Sequence, residues 1–245
     1  MEMLSEEQFR LLKTSDTCVI YGSGWSINKL TEETKQELAQ FDSISFNWYC
    51  KSNTRTTFYL VREQANMKKR THKRTGEDVA NFIRTMNSVP YENTCLIIHD
   101  LTKHSNNVHH YSRVLNKFNG KGVVVLDQKS PKLSKTNYWA KESIFKTGVY
   151  HGMTTMTNVM HIVINLGYKR VIFVGVDLYD SRYFWLPKNK ARHSVKQKGQ
   201  RQTSKHQTAL YTINLIIDIK KHHDIELLCQ NRKSLLAKHM PVWKE

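Results

Sequence analysis

A chain of 245 residues with 39% apolar and 10% aromatic side chains is long enough to bury roughly 70–75% of its unfolded surface in one α/β domain. No apolar run approaches the ~20 residues of a membrane span, and the acidic, amphipathic start "MEMLSEEQFR" lacks the basic-then-apolar order of a signal peptide, so the cytoplasm is the expected compartment. The formal charge of +17 calls for an anionic partner: nucleic acid, an acidic membrane surface, or a phosphorylated or carboxylated substrate.

In chain order, strand-like and helix-like runs alternate. "TCVIYG" (17–22) is an apolar strand ending in "GSG", followed by a helix over "TEETKQELAQF" (31–41), with Thr31 as N-cap and acids in its first turn. "SISFNWY" (43–49) and "TTFYLV" (56–61) are β-rich. "GEDVANFIRTMN" (76–87) is amphipathic at helical spacing, and "TCLIIHD" (94–100) and "KGVVVLDQ" (121–128) are strands. The spacing in "GVYHGMTTMTNVMHIVINLGY" (148–168) predicts a long helix stopped by Gly167. "RVIFVGVD" is a buried strand, and "TALYTINLIIDIKKHH", "DIELLC" and "RKSLLAKH" close the chain as helix, strand and short helix. Such alternation implies an α/β fold: a single Rossmann-like, doubly wound, mostly parallel sheet. With no repeat or Pro/Gly linker, residues 1–245 form one domain, carrying a lid at 178–205. Cys18, Cys50, Cys95 and Cys229 are too far apart for a metal site and are expected as buried thiols.

Ligands of open α/β sheets bind at the carboxyl ends of strands, which directs attention to a few positions. Gly22, Ser23 and Gly24 follow the first strand and permit close backbone approach to a phosphate or nucleoside, or form a bare tight turn. Ile27 stands where a dinucleotide fingerprint needs its third glycine, so an NAD site is disfavoured. Gly175, Asp177, Leu178 and Tyr179 end the buried strand. Asp177 is a candidate ligand contact or a carboxylate capping loop amides. Asn47 offers an amide donor and acceptor at a strand end, or serves as a turn residue. Tyr179 and Tyr183 supply phenols able to donate to phosphate. Thr147 and Gly148 are read as opening the long helix, where hydroxyl and free amides suit a carboxylate or phosphate. There is no Walker A sequence and no D-x-D pair, so neither a metal nor another cofactor is expected. His206 lies where the stretch Lys188–His206, with seven Lys or Arg and no acid, returns to a helix.

Together these segments resemble glycosyltransferase family 42, the bacterial sialyltransferases that use CMP-activated sialic acid. "VIYGSGWSI" is similar to its opening strand and G-N-G-P-S-L loop, and "SFNWY" to its C-N-Q-F-Y segment. "TGVYHGMTTMTNVMHIVINLGYKRVIFVGVDLYD" resembles its S-G-V-Y helix, L-G-Y turn and G-I-D-F-Y strand end, and "CQNRKSLLAK" its C-P-N-S-L-L-A block. Ser23 and Trp25 depart from the family loop, and Leu60 stands about where it has a nucleotide-contacting asparagine.

The resemblance implies the GT-A-variant sialyltransferase fold and an inverting, metal-independent transfer from a CMP-sugar donor to a glycan hydroxyl. Gly22, Ser23, Gly24 and Asn47 would line the donor, with Gly175, Asp177 and Leu178 beside it, and Thr147 and Gly148 would hold its carboxylate or phosphate. Tyr179 would stabilise the departing phosphate together with Tyr183; family spacing points instead to Trp185, which has no hydroxyl. His206 would be the base. Lys196, Lys198 and Arg201 in the lid favour an anionic or lipid-linked glycan acceptor, with peripheral contact at the inner face of the membrane. Assembly into a homo-oligomer is compatible with all of this. The alternatives are a nucleic-acid-binding protein, which the charge favours although no binding motif is present, and a related nucleotide- or pterin-diphosphate transferase.

Overall fold

The computed structural model describes residues 2–61, 84–88, 91–100, 118–129, 135–152, 154–179, 182–187 and 207–244. Eight strands form one sheet: β1 (Thr17–Tyr21), β2 (Asp42–Phe46), β3 (Phe58–Val61), β4 (Cys95–Asp100), β5 (Gly122–Lys129), β6 (Val149–Tyr150), β7 (Arg170–Val174) and β8 (Glu226–Cys229). Their order is β6-β5-β4-β3-β2-β1-β7-β8, and every pair is parallel. The chain walks outward from β1 to β6, then returns to lay β7 on the other flank of β1. That reversal puts a topological switch point between β1 and β7.

Parallel strands are buried on both faces, and their sequences read as near-continuous apolar runs for that reason. Cys18, Ile20, Phe58, Leu60, Cys95 and Ile97 face one core, and their alternates Val19, Tyr21, Tyr59, Val61, Leu96 and Ile98 face the other. The first core is covered by α1 (Glu6–Leu11), α3 (Ile144–Thr147), α4 (Thr155–Asn165) and α5 (Gln207–His222). The second packs against α2 (Glu32–Leu38) and the 3-10 turn Trp25–Lys29.

Capping follows the sequence. Ser5 and Gln8 form a capping box on α1, and Thr31 accepts from the Thr34 amide at 3.1 Å on α2. Gly167, at φ 74°, ends α4 in a Schellman arrangement: Gly167 N–H donates to Ile164 and Tyr168 N–H to Val163.

The long helix expected over 148–168 is shorter than the spacing implied. Val149–Tyr150 is a strand, residues 151, 152 and 154 belong to neither helix nor strand, and α4 begins only at Thr155. Thr147 therefore ends a short helix instead of opening a long one, and its hydroxyl donates back to Ser143 O at 2.9 Å. Gly148, at φ 75°, is that helix's C-cap, because a Cβ there would stand 2.5 Å from Asp127 O. The next helix start in the chain is that of α4, seven residues after Gly148.

Of the sequence's other segments, the body of the 76–87 helix and most of the lid (180–181 and 188–205) lie outside the described residues. Among the described residues no helix is long and apolar enough to cross a membrane.

Candidate active site at the carboxyl ends of the strands

The loops leaving β1 and β7 meet at the switch point, and backbone contacts hold them together. Gly22 N–H donates to Val174 O and Gly24 N–H to Gly175 O, each at 2.8 Å. A Cβ on Gly22 would lie 2.4 Å from Gly175 O, and one on Gly24 would lie 2.5 Å from Asp177 Oδ2. Both glycines are therefore required for one loop to lie on the other. Gly175 has φ 67°, a conformation that favours glycine.

Asp177 is buried and serves as the pin of this junction. Its Oδ2 accepts the Ser26 amide at 3.0 Å and its Oδ1 accepts Asn231 Nδ2 at 2.8 Å, while its carbonyl accepts the Leu235 amide. The carboxylate thus caps loop amides and ties the "CQNRKSLL" block to the first loop. Asn231 is not among the candidate residues drawn from the sequence, although it stands at the asparagine of the C-P-N-S-L-L-A block, and it also reaches Tyr179 Oη at 3.4 Å. An amide hydrogen given to that oxygen leaves the phenol's own proton as the donor.

Two non-glycine residues at this edge hold left-handed backbone angles. Leu178 has φ 59°, inside a tight turn in which Tyr179 N–H donates to Asp177 O at 2.7 Å. Asn47, immediately after β2, has φ 53°. For a leucine such a conformation costs roughly 1–2 kcal/mol, and residues strained in this way cluster at ligand sites. The Asn47 carbonyl accepts the Tyr59 hydroxyl. Burial pushes the Tyr59 phenol far up, so it remains a donor. Asn47 Nδ2 lies 3.3 Å from Thr155 Oγ1 in the first turn of α4, and its Oδ1 is buried without a partner. Thr154 Oγ1, at the N-cap of α4, and Thr157 Oγ1 are likewise buried and unpaired. Thr157 N–H donates back to Thr154 O at 3.1 Å, so the first two amides of α4, which have no acceptor within the helix, stand beside an amide oxygen and two hydroxyls.

The segment 182–187 folds back over the first loop. Tyr183 bridges Gly24, Phe184 N–H donates to Ser23 O at 3.2 Å, and Asn28 Nδ2 donates to Phe184 O at 2.9 Å. Tyr183 stacks on Trp185 at 4.5 Å between centroids, and Trp185 stacks in turn on Trp48 at 6.3 Å. The Arg182 guanidinium lies over Trp25 at 5.0 Å. Beneath them burial raises the Tyr21 phenol and pushes Tyr49 up to about 12, so both stay protonated.

The structure therefore brings Gly22, Ser23, Gly24, Gly175, Asp177, Leu178, Tyr179 and Tyr183 to one junction. Asn47 stands at the neighbouring strand end, and Thr147 and Gly148 turn away into the α3 cap. Leu60 is buried within β3. His206, Lys196, Lys198 and Arg201 lie outside the described residues.

No family model matches the chain, and no curated protein matches it in sequence. Solved structures do match in fold. The sialyltransferase CstII from Campylobacter jejuni, in complex with the substrate analogue CMP-3FNeuAc, superposes with a TM-score of 0.51 at 15% identity, covering 92% of this chain and 86% of that one. A variant of the sialyltransferase CST-II in complex with CMP gives 0.50 at 15% identity over 92% and 85%. The MAf glycosyltransferase from Magnetospirillum magneticum AMB-1 gives 0.53 at 15% identity, covering 89% of this chain and 32% of that much longer one. At these identities what is shared is the fold: a Rossmann-like, mostly parallel α/β sheet with helices.

Proposed function

We propose that the protein is a glycosyltransferase that moves a sialic-acid-like sugar from a CMP-activated donor to a hydroxyl of an anionic or lipid-linked bacterial glycan, in one inverting, metal-independent displacement at the inner face of the membrane. The observation that carries this reading is the strained junction at the carboxyl edge. Asn47 and Leu178 hold unfavourable backbone angles on either side of β1, in a fold shared with the sialyltransferase CstII.

In this reading Asn47, the first loop and the start of α4 receive the donor, and phenolic hydrogen bonds from Tyr179 and Tyr183 stabilise charge on the departing phosphate. A monophosphate leaving group needs no pair of acids around a divalent metal. The acceptor hydroxyl requires a neutral histidine to take its proton, for which the sequence resemblance offers His206.

The test is CMP release from a panel of CMP-sugars, with and without glycan acceptors, together with thermal shift against CMP, other nucleotides and an oligonucleotide. We expect CMP alone among the nucleotides to raise the midpoint, and one CMP-sugar to release CMP faster with acceptor present. Stabilisation by the oligonucleotide but not by CMP would replace this reading with nucleic-acid binding.

A further inference from the structure

At the β1–β7 junction the side-chain amide of Asn231 is gripped at both ends. Its Oδ1 accepts the Lys233 N–H at 3.1 Å; a backbone N–H has only a proton to offer, so that end is the oxygen and the other the nitrogen. Nδ2 then donates one hydrogen to Asp177 Oδ1 at 2.8 Å, and a charged acceptor makes this the stronger kind of hydrogen bond. Asp177 is buried, and its other oxygen accepts the Ser26 amide at 3.0 Å, so the carboxylate is held in turn. An amide nitrogen carries a second hydrogen. Tyr179 Oη, 3.4 Å from Nδ2, receives it.

The backbone around this contact is tied as firmly. Ser234 N–H donates to Asn231 O at 2.8 Å and Leu235 N–H to Asp177 O at 3.3 Å, while Ser234 Oγ donates to Val176 O at 2.7 Å. The block that carries Asn231 is therefore hooked to the exit of β7 at several points, and the amide meets the phenol in a fixed place. At 3.4 Å the bond to the phenol is the weaker of the two that Nδ2 makes. It is also the one that gains strength when the phenol oxygen becomes more negative, because an N–H given to an ionising oxygen favours the charged form. In glycosyl transfer that happens as the phenol's own proton is drawn toward the departing phosphate.

We propose that Asn231 is a positioning residue of the transfer: anchored by Asp177, it gives a hydrogen to Tyr179 Oη and strengthens the hydrogen bond that the phenol donates to the leaving group. This rests on the glycosyl-transfer reading of the site. The bond from the anomeric carbon to the phosphate oxygen breaks, and its electron pair stays on the phosphate. The phenol's proton is shared with that oxygen but not surrendered, and Asn231 keeps both of its hydrogens throughout.

A double-substitution cycle separates this role from a structural one. Asn231→Ala should lower kcat at least about fivefold, the worth of one ordinary hydrogen bond, with donor KM and CMP affinity near wild type. In a Tyr179→Phe background, which has no phenol oxygen to receive the hydrogen, the same substitution should leave kcat within about twofold. Equal falls in the two backgrounds make Asn231 only a pin of the β7 exit and overturn the proposal, as does an unchanged kcat in Asn231→Ala. A second measurement leaves Asn231 in place and so does not depend on how well that variant folds. In ¹⁵N-labelled protein, Tyr179→Phe should shift one of the two Asn231 amide hydrogens and leave the other, which faces Asp177, where it was. If neither moves, the amide does not meet the phenol and the proposal fails. If the wild-type protein releases CMP from no CMP-sugar, the glycosyl-transfer reading falls and the proposal with it, whereas a shifted amide hydrogen still shows the bond between Asn231 and Tyr179.

Discussion

Asn47 combines a left-handed backbone with a side-chain oxygen buried without a partner, and two substitutions separate these properties. Asn47→Gly removes the amide but tolerates the φ, so its stability should stay within ~1 kcal/mol of wild type. Asn47→Ala loses the amide and adds a left-handed penalty of roughly 1–2 kcal/mol, visible as a lower urea midpoint. Both should raise the donor KM; an unchanged donor KM in Asn47→Gly would show that the amide does not meet the donor. Tyr59→Phe takes away the hydroxyl that satisfies the Asn47 carbonyl and should cost about 1–3 kcal/mol of stability. At the opposite flank, Tyr179→Phe should lower kcat more than it weakens CMP binding, because charge on the leaving phosphate grows in the transition state. Equal losses in both would make the phenol a ground-state contact only. Full activity in EDTA is the companion expectation; a loss restored by magnesium or manganese would move the phosphate site onto a metal.

At the scale of elements, the site is the place where two strand-end loops lie on each other, and the glycines there are matched to backbone and not to open space. Gly22→Ala puts a methyl 2.4 Å from Gly175 O, a group that can yield only if the β1 and β7 exits separate. We expect a destabilisation of about 1–3 kcal/mol, read in urea, and weaker CMP binding as the junction opens; a fully stable Gly22→Ala would mean that the loops part without cost. These strands were legible in the sequence because buried parallel strands are apolar throughout and end at Gly and Asp. The start of α4 was not legible. From Thr155 to Ile164 every residue is buried, so no polar stripe separates helix from the preceding turn, and the two-residue β6 is too short to show alternation. The hydrogen bond between His151 Nδ1 and Asn158 Oδ1 at 2.8 Å was hidden for a related reason: both lie in a run read as one helix, where residues seven apart are not in contact.

For the whole molecule, both ends of the chain add to the sheet: Glu2 and Leu4 bond to Val123 of β5, and Pro241 and Trp243 bond to Cys229 at the end of β8. The chain carries a formal charge of +17. That charge is unevenly spread, because Lys188–His206 holds seven basic residues and no acid, in a segment that follows the aromatic turn 182–187 packed on the first loop. A neutral oligosaccharide would gain little from such a stretch. A phosphorylated lipid-linked saccharide, or a glycan lying on an anionic membrane, would gain roughly 1 kcal/mol for each basic side chain near the surface. Changing Lys196, Lys198 and Arg201 together to Gln should therefore raise the acceptor KM and flatten its dependence on salt, since the lost attraction is the part that ions screen over ~8–10 Å. Release of CMP into water, which needs no acceptor, should stay near the wild-type rate. If the acceptor KM ignores both the triple substitution and the salt concentration, the basic stretch takes no part in acceptor binding, and an anionic acceptor loses its physical basis.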